Sequence, residues 1–217
     1  MPRFTGVAGL TGFVLIFVPV VGGSGQEPGF GGDATSILTF FRSAATPIAT
    51  QGRFVLVLGV IVFAWFVVGL TMLLAEAEAG AESHPSWRST AAGASGLLFV
   101  ASAMNGYWQA AAYRVDQLSP ELATFAFDLG NLQFANGWVA MGSFAVGVGW
   151  VLVRTRFFPR WLGWMALVAG AGLIGSRAVW TTDIWLLPYA VFWVWLVMVS
   201  VRLLRSGHQQ PVDGARS

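Results

Sequence analysis

From Phe127 to Trp180 the chain reads FDLGNLQFANGWVAMGSFAVGVGWVLVRTRFFPRWLGWMALVAGAGLIGSRAVW. This is an apolar run, a tight basic turn and a second apolar run, a pattern with no solvated face to offer water. About 20 apolar residues cross the hydrocarbon of a bilayer as a helix, so the stretch predicts a membrane hairpin. Its turn, Arg154-Thr155-Arg156-Phe157-Phe158-Pro159-Arg160, carries three arginines and no acid. Basic residues gather on the cytoplasmic side of membrane helices, so the turn orients everything else. At the far ends of the two runs sit Asp128, Asn131, Asn136, Arg177 and Asp183, the densest group of polar side chains near the apolar zone.

Composition supports the same class. Hydrophobic residues make up 56%, charged residues only 10%, and mean hydropathy is +0.67, whereas a soluble domain carries about 25% charged residues. The expected fold is all-α: a polytopic bundle of about six transmembrane helices over residues 1–206, with short outer amphipathic helices and a disordered cytoplasmic tail over 207–217. Several chemistries are excluded by residue type. Every basic residue is Arg, and a Schiff base needs a lysine amine. Cysteine is absent, which removes disulfides, thiolate catalysis and Cys-held metals. The two histidines, His84 and His208, lie in a polar loop and the tail, so a haem held by two core histidines has no ligands. No metal, no cofactor and no nucleic-acid partner is indicated.

In chain order, Phe4 to Val21 reads as the first span, a cleaved signal peptide being the competing reading because Arg3 and the small residues Gly22-Gly23-Ser24 imitate one. Asp33 then caps an amphipathic helix with Ile37, Phe41, Ala44 and Ile48 on one face, placed on the outer membrane surface. The second span, Phe54 to Ala75, is almost wholly Val, Leu, Phe and Ile and should meet lipid on its outward face. Glu76, Glu78, Glu82 and His84 follow in a loop closed by Pro85. A charge run of this kind reads as a solvated segment rather than a metal site.

The third span, Arg88 to Tyr113, carries Ser95, Ser102, Asn105, Gln109 and Asp116 at helical spacing, so this stripe is expected to look into the bundle. It is either helix-to-helix glue or the lining of a cavity. Tyr107, Trp108 and Tyr113 fit an interfacial aromatic belt. Ser119-Pro120-Glu121 starts a short helix expected to break at Gly130 before the fourth span, in which Gly142, Gly147 and Gly149 permit close contact. The fifth span, Pro159 to Trp180, presents Gly163, Ala166, Gly170 and Arg177 on one face, with Asp128 and Asp183 as expected counter-ions for the arginine. The sixth, Ile184 to Leu204, ends at Arg202 and Arg205. Six crossings put eight arginines on the side of both termini and four on the other, so both termini are expected in the cytoplasm of a multi-pass inner-membrane protein.

The segment DATSILTFF and the hairpin RTRFFPRWLGWMALVAGAGLI resemble the uncharacterised bacterial family of small polytopic membrane proteins called domain of unknown function 4386, of actinobacterial type. The resemblance implies a six-helix inner-membrane protein and carries no catalytic residues over. Three functional readings follow from the residues. In the first, an outward-facing pocket binds or transports a small amphipathic or anionic ligand, with Arg177 as the cation, Asn105, Gln109, Tyr113, Asn131 and Asn136 orienting it, and Trp108 and Trp180 beside it. In the second, a membrane enzyme uses Asp128 or Asp183 for acid catalysis on a lipid-like or isoprenoid substrate, as terpene cyclases do, with Trp108, Trp138 and Trp180 stabilising a cation. In the third, the polar group is internal glue in a structural or accessory subunit. Membrane lipids are the expected partners; small-residue faces leave the oligomeric state open.

Overall fold

A computed structural model of the chain describes residues 1–23, 27–81, 87–104 and 106–206. Their regular structure is helical throughout: α1 (Pro2–Gly23), α2 (Ala34–Ala44), α3 (Pro47–Ala81), α4 (Trp87–Ala103), α5 (Tyr107–Tyr113), α6 (Pro120–Thr155), α7 (Arg160–Ser176) and α8 (Leu186–Ser206), with single 3-10 turns at Val115–Gln117, Arg177–Val179 and Asp183–Trp185. Four segments are long and apolar enough to cross a membrane: Gln51–Gly80, Pro120–Thr155, Arg160–Val179 and Asp183–Ser206. Pro2–Val18 is a shorter apolar helix, and α4 has 17 residues. The lipid-facing surface predicted for α3 is visible as a stripe. Phe54, Leu58, Ile61, Trp65, Val68 and Met72 are exposed at three- and four-residue intervals, while Phe63, Phe66, Val67, Leu70 and Leu74 on the other side are buried. A continuous apolar face of this length is stable only against hydrocarbon. The protein is an integral membrane protein.

The six longer helices form a ring in chain order, each packed on the next, with α8 returning to α1. Their directions alternate, as close contacts show: Gly12 lies against Phe63 and Gly59 against Ile16 for α1 and α3, Gly93 against Thr71 for α3 and α4, and Gly147 against Ala92 for α4 and α6. The centre is packed with rings. Phe63, Phe66, Phe144, Phe192 and Trp195 are fully buried, and the centroids of Phe63 and Trp193 are 5.9 Å apart. Such pairs add about 0.5–1.5 kcal/mol each beyond the area they bury.

α6 and α7 meet backbone to backbone through glycines on both helices. A Cβ on Gly170 would stand 2.6 Å from the Gly142 carbonyl oxygen, and one on Gly149 2.7 Å from that of Gly163. The two glycine pairs are seven residues apart on each helix, so they repeat on one face and fix a single antiparallel register. Gly142, Gly149, Gly163 and Gly170 thus do what their spacing predicted, whereas Gly147 faces α4. The hairpin closes at Arg156, which caps α6 in the left-handed conformation (φ 56°) with its N–H donating to the Leu152 carbonyl.

Several boundaries differ from expectation. The third span is broken: α4 stops at Ala103 and α5 restarts after Gly106, so the stripe from Ser95 to Asp116 does not continue on one helix face. The expected break at Gly130 does not occur. α6 runs through it for 36 residues, about 54 Å at 1.5 Å per residue, because the Trp108 indole lies directly on the Gly130 backbone and leaves no room for any other residue. The surplus length of α6 meets α2 and α5 in a second core of Ile37, Phe41, Ala44, Ala111, Ala112, Val115, Ala123 and Phe127. The apolar face of α2 is therefore buried against protein, where lipid was expected. Its fourth predicted member, Ile48, belongs to α3. Glu76 and Glu78 are on α3 rather than in a loop, and Glu82 and His84 lie outside the described residues.

Two predictions follow from this packing. Gly170→Ala should destabilise the detergent-solubilised protein by about 1–3 kcal/mol, the usual cost of overpacking. Gly80→Ala, with nothing within 4 Å of the added methyl, should be neutral or stabilise by up to about 1 kcal/mol; thermal unfolding of the two variants checks both signs. At α2, the Asp33 carboxylate accepts from the Thr35 and Ser36 backbone N–H groups at 2.9 and 3.0 Å. The Ser36 N–H first, then that of Thr35, holds its carboxyl below the ordinary 3.8. Its capping contribution is then complete above that value and lost as pH falls through the lowered one. Hydrogen exchange at Ser36 should accelerate in Asp33→Ala relative to wild type, and acidification below about pH 4 should narrow that difference.

Candidate functional site

The α6–α7 register determines what happens at the far end of the hairpin. One further heptad beyond the Gly142–Gly170 pair brings Arg177 level with Ala135 and Asn136, and the Arg177 Nε–H donates to Asn136 Oδ1 at 2.8 Å. The guanidinium lies over the Trp180 ring, 5.7 Å from its centroid, and Trp180 is in turn met edge-on by Phe30 at 4.2 Å. Among the described residues Arg177 forms no ion pair: neither Asp128 nor Asp183, its expected counter-ions, bridges to it. Asp183 is exposed at the head of the turn before α8, and Asp128 is half-buried on α6. A half-buried arginine with one neutral hydrogen-bond partner keeps its terminal N–H donors for something else.

At the same end of the bundle an aromatic row runs between α6 and α8. Trp138 and Trp185 stack with centroids 4.9 Å apart, Phe134 meets both edge-on at 5.5 and 5.6 Å, and Tyr189 continues the row to Trp193. The Trp138 Nε1–H is buried with no hydrogen-bond partner among the described residues.

The remaining sequence-predicted positions among the described residues do not join this group. Asn105 lies outside the described residues. Gln109 is exposed and Tyr113 is 89% exposed. Asn131 donates to the Phe127 carbonyl one turn back at 3.3 Å, which satisfies it within its own helix. Trp108 belongs to the second core, stacked parallel on Phe127 at 5.4 Å and donating its Nε1–H to the same carbonyl at 3.2 Å. It anchors α5 to α6.

A polar cluster that the spacing did not reveal lies at the opposite end. Glu78, only 3% exposed, uses both carboxylate oxygens on the start of α4. Oε2 accepts from the Ser89 N–H at 3.2 Å and the Ser89 hydroxyl at 2.7 Å, and Oε1 accepts from Arg88 at 3.2 Å. A carboxylate at a helix N-terminus satisfies otherwise orphaned N–H groups and complements the helix dipole. This is a clasp between α3 and α4, where a solvated acid was expected. Among the described residues no group of His, Cys, Asp and Glu is arranged to hold a metal.

No protein-family model, no curated protein and no solved structure matches the chain, so the resemblance carried by the α6–α7 turn stands on those residues alone. The clasp is tested by Glu78→Ala, expected to cost about 1–3 kcal/mol because it strands the Ser89 hydroxyl and N–H without an acceptor. Glu78→Gln, which keeps one acceptor, should cost less. Equal melting points for the wild type and both variants would show that the clasp contributes nothing.

Proposed function

We propose that the chain is a six-helix, multi-pass protein of the cytoplasmic membrane, with both termini in the cytoplasm, that binds a small anionic amphipathic ligand at its outer end. The alternating helix directions place Arg3, Arg88, Arg154, Arg156, Arg160, Arg202 and Arg205 at one end of the ring and Arg42, Arg53, Arg114 and Arg177 at the other. That asymmetry supports the orientation. α1 and α4 supply the two crossings beyond the four long apolar segments, each lying between neighbours that do cross.

The observation that carries the binding reading is the Arg177–Asn136 pair. Its guanidinium is held by a neutral amide, leans on the Trp180 face and has no carboxylate counter-charge among the described residues. An arginine oriented in this way offers charge-assisted hydrogen bonds to a carboxylate or phosphate, and the Trp180 ring beside it, met edge-on by Phe30, offers an apolar surface for the rest of the ligand. Acid catalysis draws less support from this geometry: raising a carboxyl's pKa by desolvation takes deep burial, whereas Asp183 is exposed and Asp128 only half-buried.

The test is native mass spectrometry of the purified protein and its Arg177→Gln variant. One defined anionic species should co-purify with the wild type and fall about tenfold or more in the variant, the loss of about 1.4 kcal/mol of binding or more, with the melting point unchanged. The same bulk lipid in both proteins would leave Arg177 as a structural hydrogen-bond donor and sink the reading.

A further inference from the structure

The other end of the hairpin contains a cleft that the outer-end reading does not use. It has a volume of about 520 Å³ and lies between the turn before α7 and the last two turns of α8. Phe157, Phe158 and Trp161 form one wall, and Met198, Val201, Arg202 and Arg205 the other. Arg202 lies over the Trp161 ring at 5.8 Å from its centroid. No acidic residue lines the cleft. The single salt bridge among the described residues, Arg88–Glu78, belongs to α3 and α4.

The polarity of the α8 wall has a direction. Val194, Met198, Val201 and Arg205 recur at helical spacing, with Arg202 beside them, so one face passes from exposed apolar side chains in the hydrocarbon to two guanidinium groups at the membrane surface. Phe157 and Trp161, which line the cleft with the two arginines, are of the aromatic type that settles between acyl chains and headgroups. A cleft of this volume falls in the range of small-molecule sites, about 300–1,000 Å³, large enough for a phosphate headgroup and glycerol with the start of one acyl chain.

From these features we infer that the cleft is a binding site for one anionic glycerophospholipid of the same leaflet as the basic turn. Its phosphate lies between Arg202 and Arg205, its glycerol against Trp161, and one acyl chain along Val201, Met198 and Val194. Charge complementarity selects the headgroup: two arginines with no neighbouring acid favour a net-negative lipid over a zwitterionic one, in which a bound ammonium would face the same arginines. The site is independent of Arg177, which is at the opposite end of α7.

The experiment uses the full chain in mixed vesicles of phosphatidylcholine and phosphatidylglycerol, extracted with increasing detergent, with the retained lipid counted by native mass spectrometry. Wild type should keep one phosphatidylglycerol after the bulk lipid is gone. Arg202→Gln and Arg205→Gln should each weaken its retention about fivefold and the double variant about thirtyfold, the effect of removing one and two charges near a membrane surface. Met198→Trp should displace the lipid by filling the apolar part without altering charge. Arg3→Gln, at the same end but outside the cleft, should leave retention unchanged. Equal loss in Arg3→Gln would mean that the whole basic end attracts lipid, and would overturn the inference. So would retention that is the same in the double variant and the wild type, or equal retention of phosphatidylcholine. A dimer dissociated by Met198→Trp, with no lipid released, would assign the cleft to a second copy of the chain and overturn it as well.

Discussion

The close approach of α6 and α7 is the constraint on which the rest of the bundle depends. Inside a bilayer, helices gain nothing from leaving one apolar medium for another, so association rests on van der Waals contact and interhelical polar bonds. Two glycine pairs seven residues apart, Gly142 with Gly170 and Gly149 with Gly163, let the backbones touch. They permit only one alignment, because moving either helix by one residue would replace a glycine with a side chain. That alignment carries Arg177 to Asn136 at one end and sets the turn with its left-handed Arg156 at the other. It also stations α7 where α8 can pack, with Pro188 against Gly172.

Polarity in this protein is distributed by the cost of charge in hydrocarbon. The ring interior is aromatic and aliphatic, and the arginines sit at the ends of helices, where an exposed guanidinium retains its hydration. Glu78 is the buried exception, and both of its oxygens are occupied. Breaking such a group on one side costs more than the intact group contributes, which is why a clasp of this kind fixes the α3–α4 geometry whatever its net contribution to stability. Arg177 differs in kind: it is oriented by a neutral amide and an aromatic face while its charge stays uncompensated by the described residues.

What could be read in the sequence was whatever depends on local spacing. The apolar stripe of α3, the Asp33 and Ser119 caps and the small-residue face Gly163, Ala166 and Gly170 all follow from intervals of three, four and seven. Failures occurred where a local pattern competed with a distant contact. Polar residues from Ser95 to Asp116 matched helical spacing so well that the Asn105-Gly106 dipeptide, a turn signal in its own right, was overridden. Gly130 looked like a helix break because nothing local shows that Trp108, twenty-two positions earlier in the sequence, comes to rest on it. Glu78 reads as solvated because the donors to its carboxylate, Arg88 and Ser89, lie ten and eleven positions on in the sequence. For Arg177 the acids at the matching ends of the neighbouring spans, Asp128 and Asp183, are the natural counter-ions by charge, yet backbone register selects Asn136.

The length of α6 has an architectural consequence. One continuous helix is gripped in the membrane by α4 and α7 and gripped again above it by the second core of α2, α5 and its own first turns. Apart from Pro120 in its first turn the helix contains no proline, and it runs unbroken to Thr155, so the two cores share one backbone instead of meeting at a turn. The cap formed by α2 and α5 is therefore not a separate unit joined by a turn but is built on the same helix that carries the glycine contact with α7 and ends at the arginine turn.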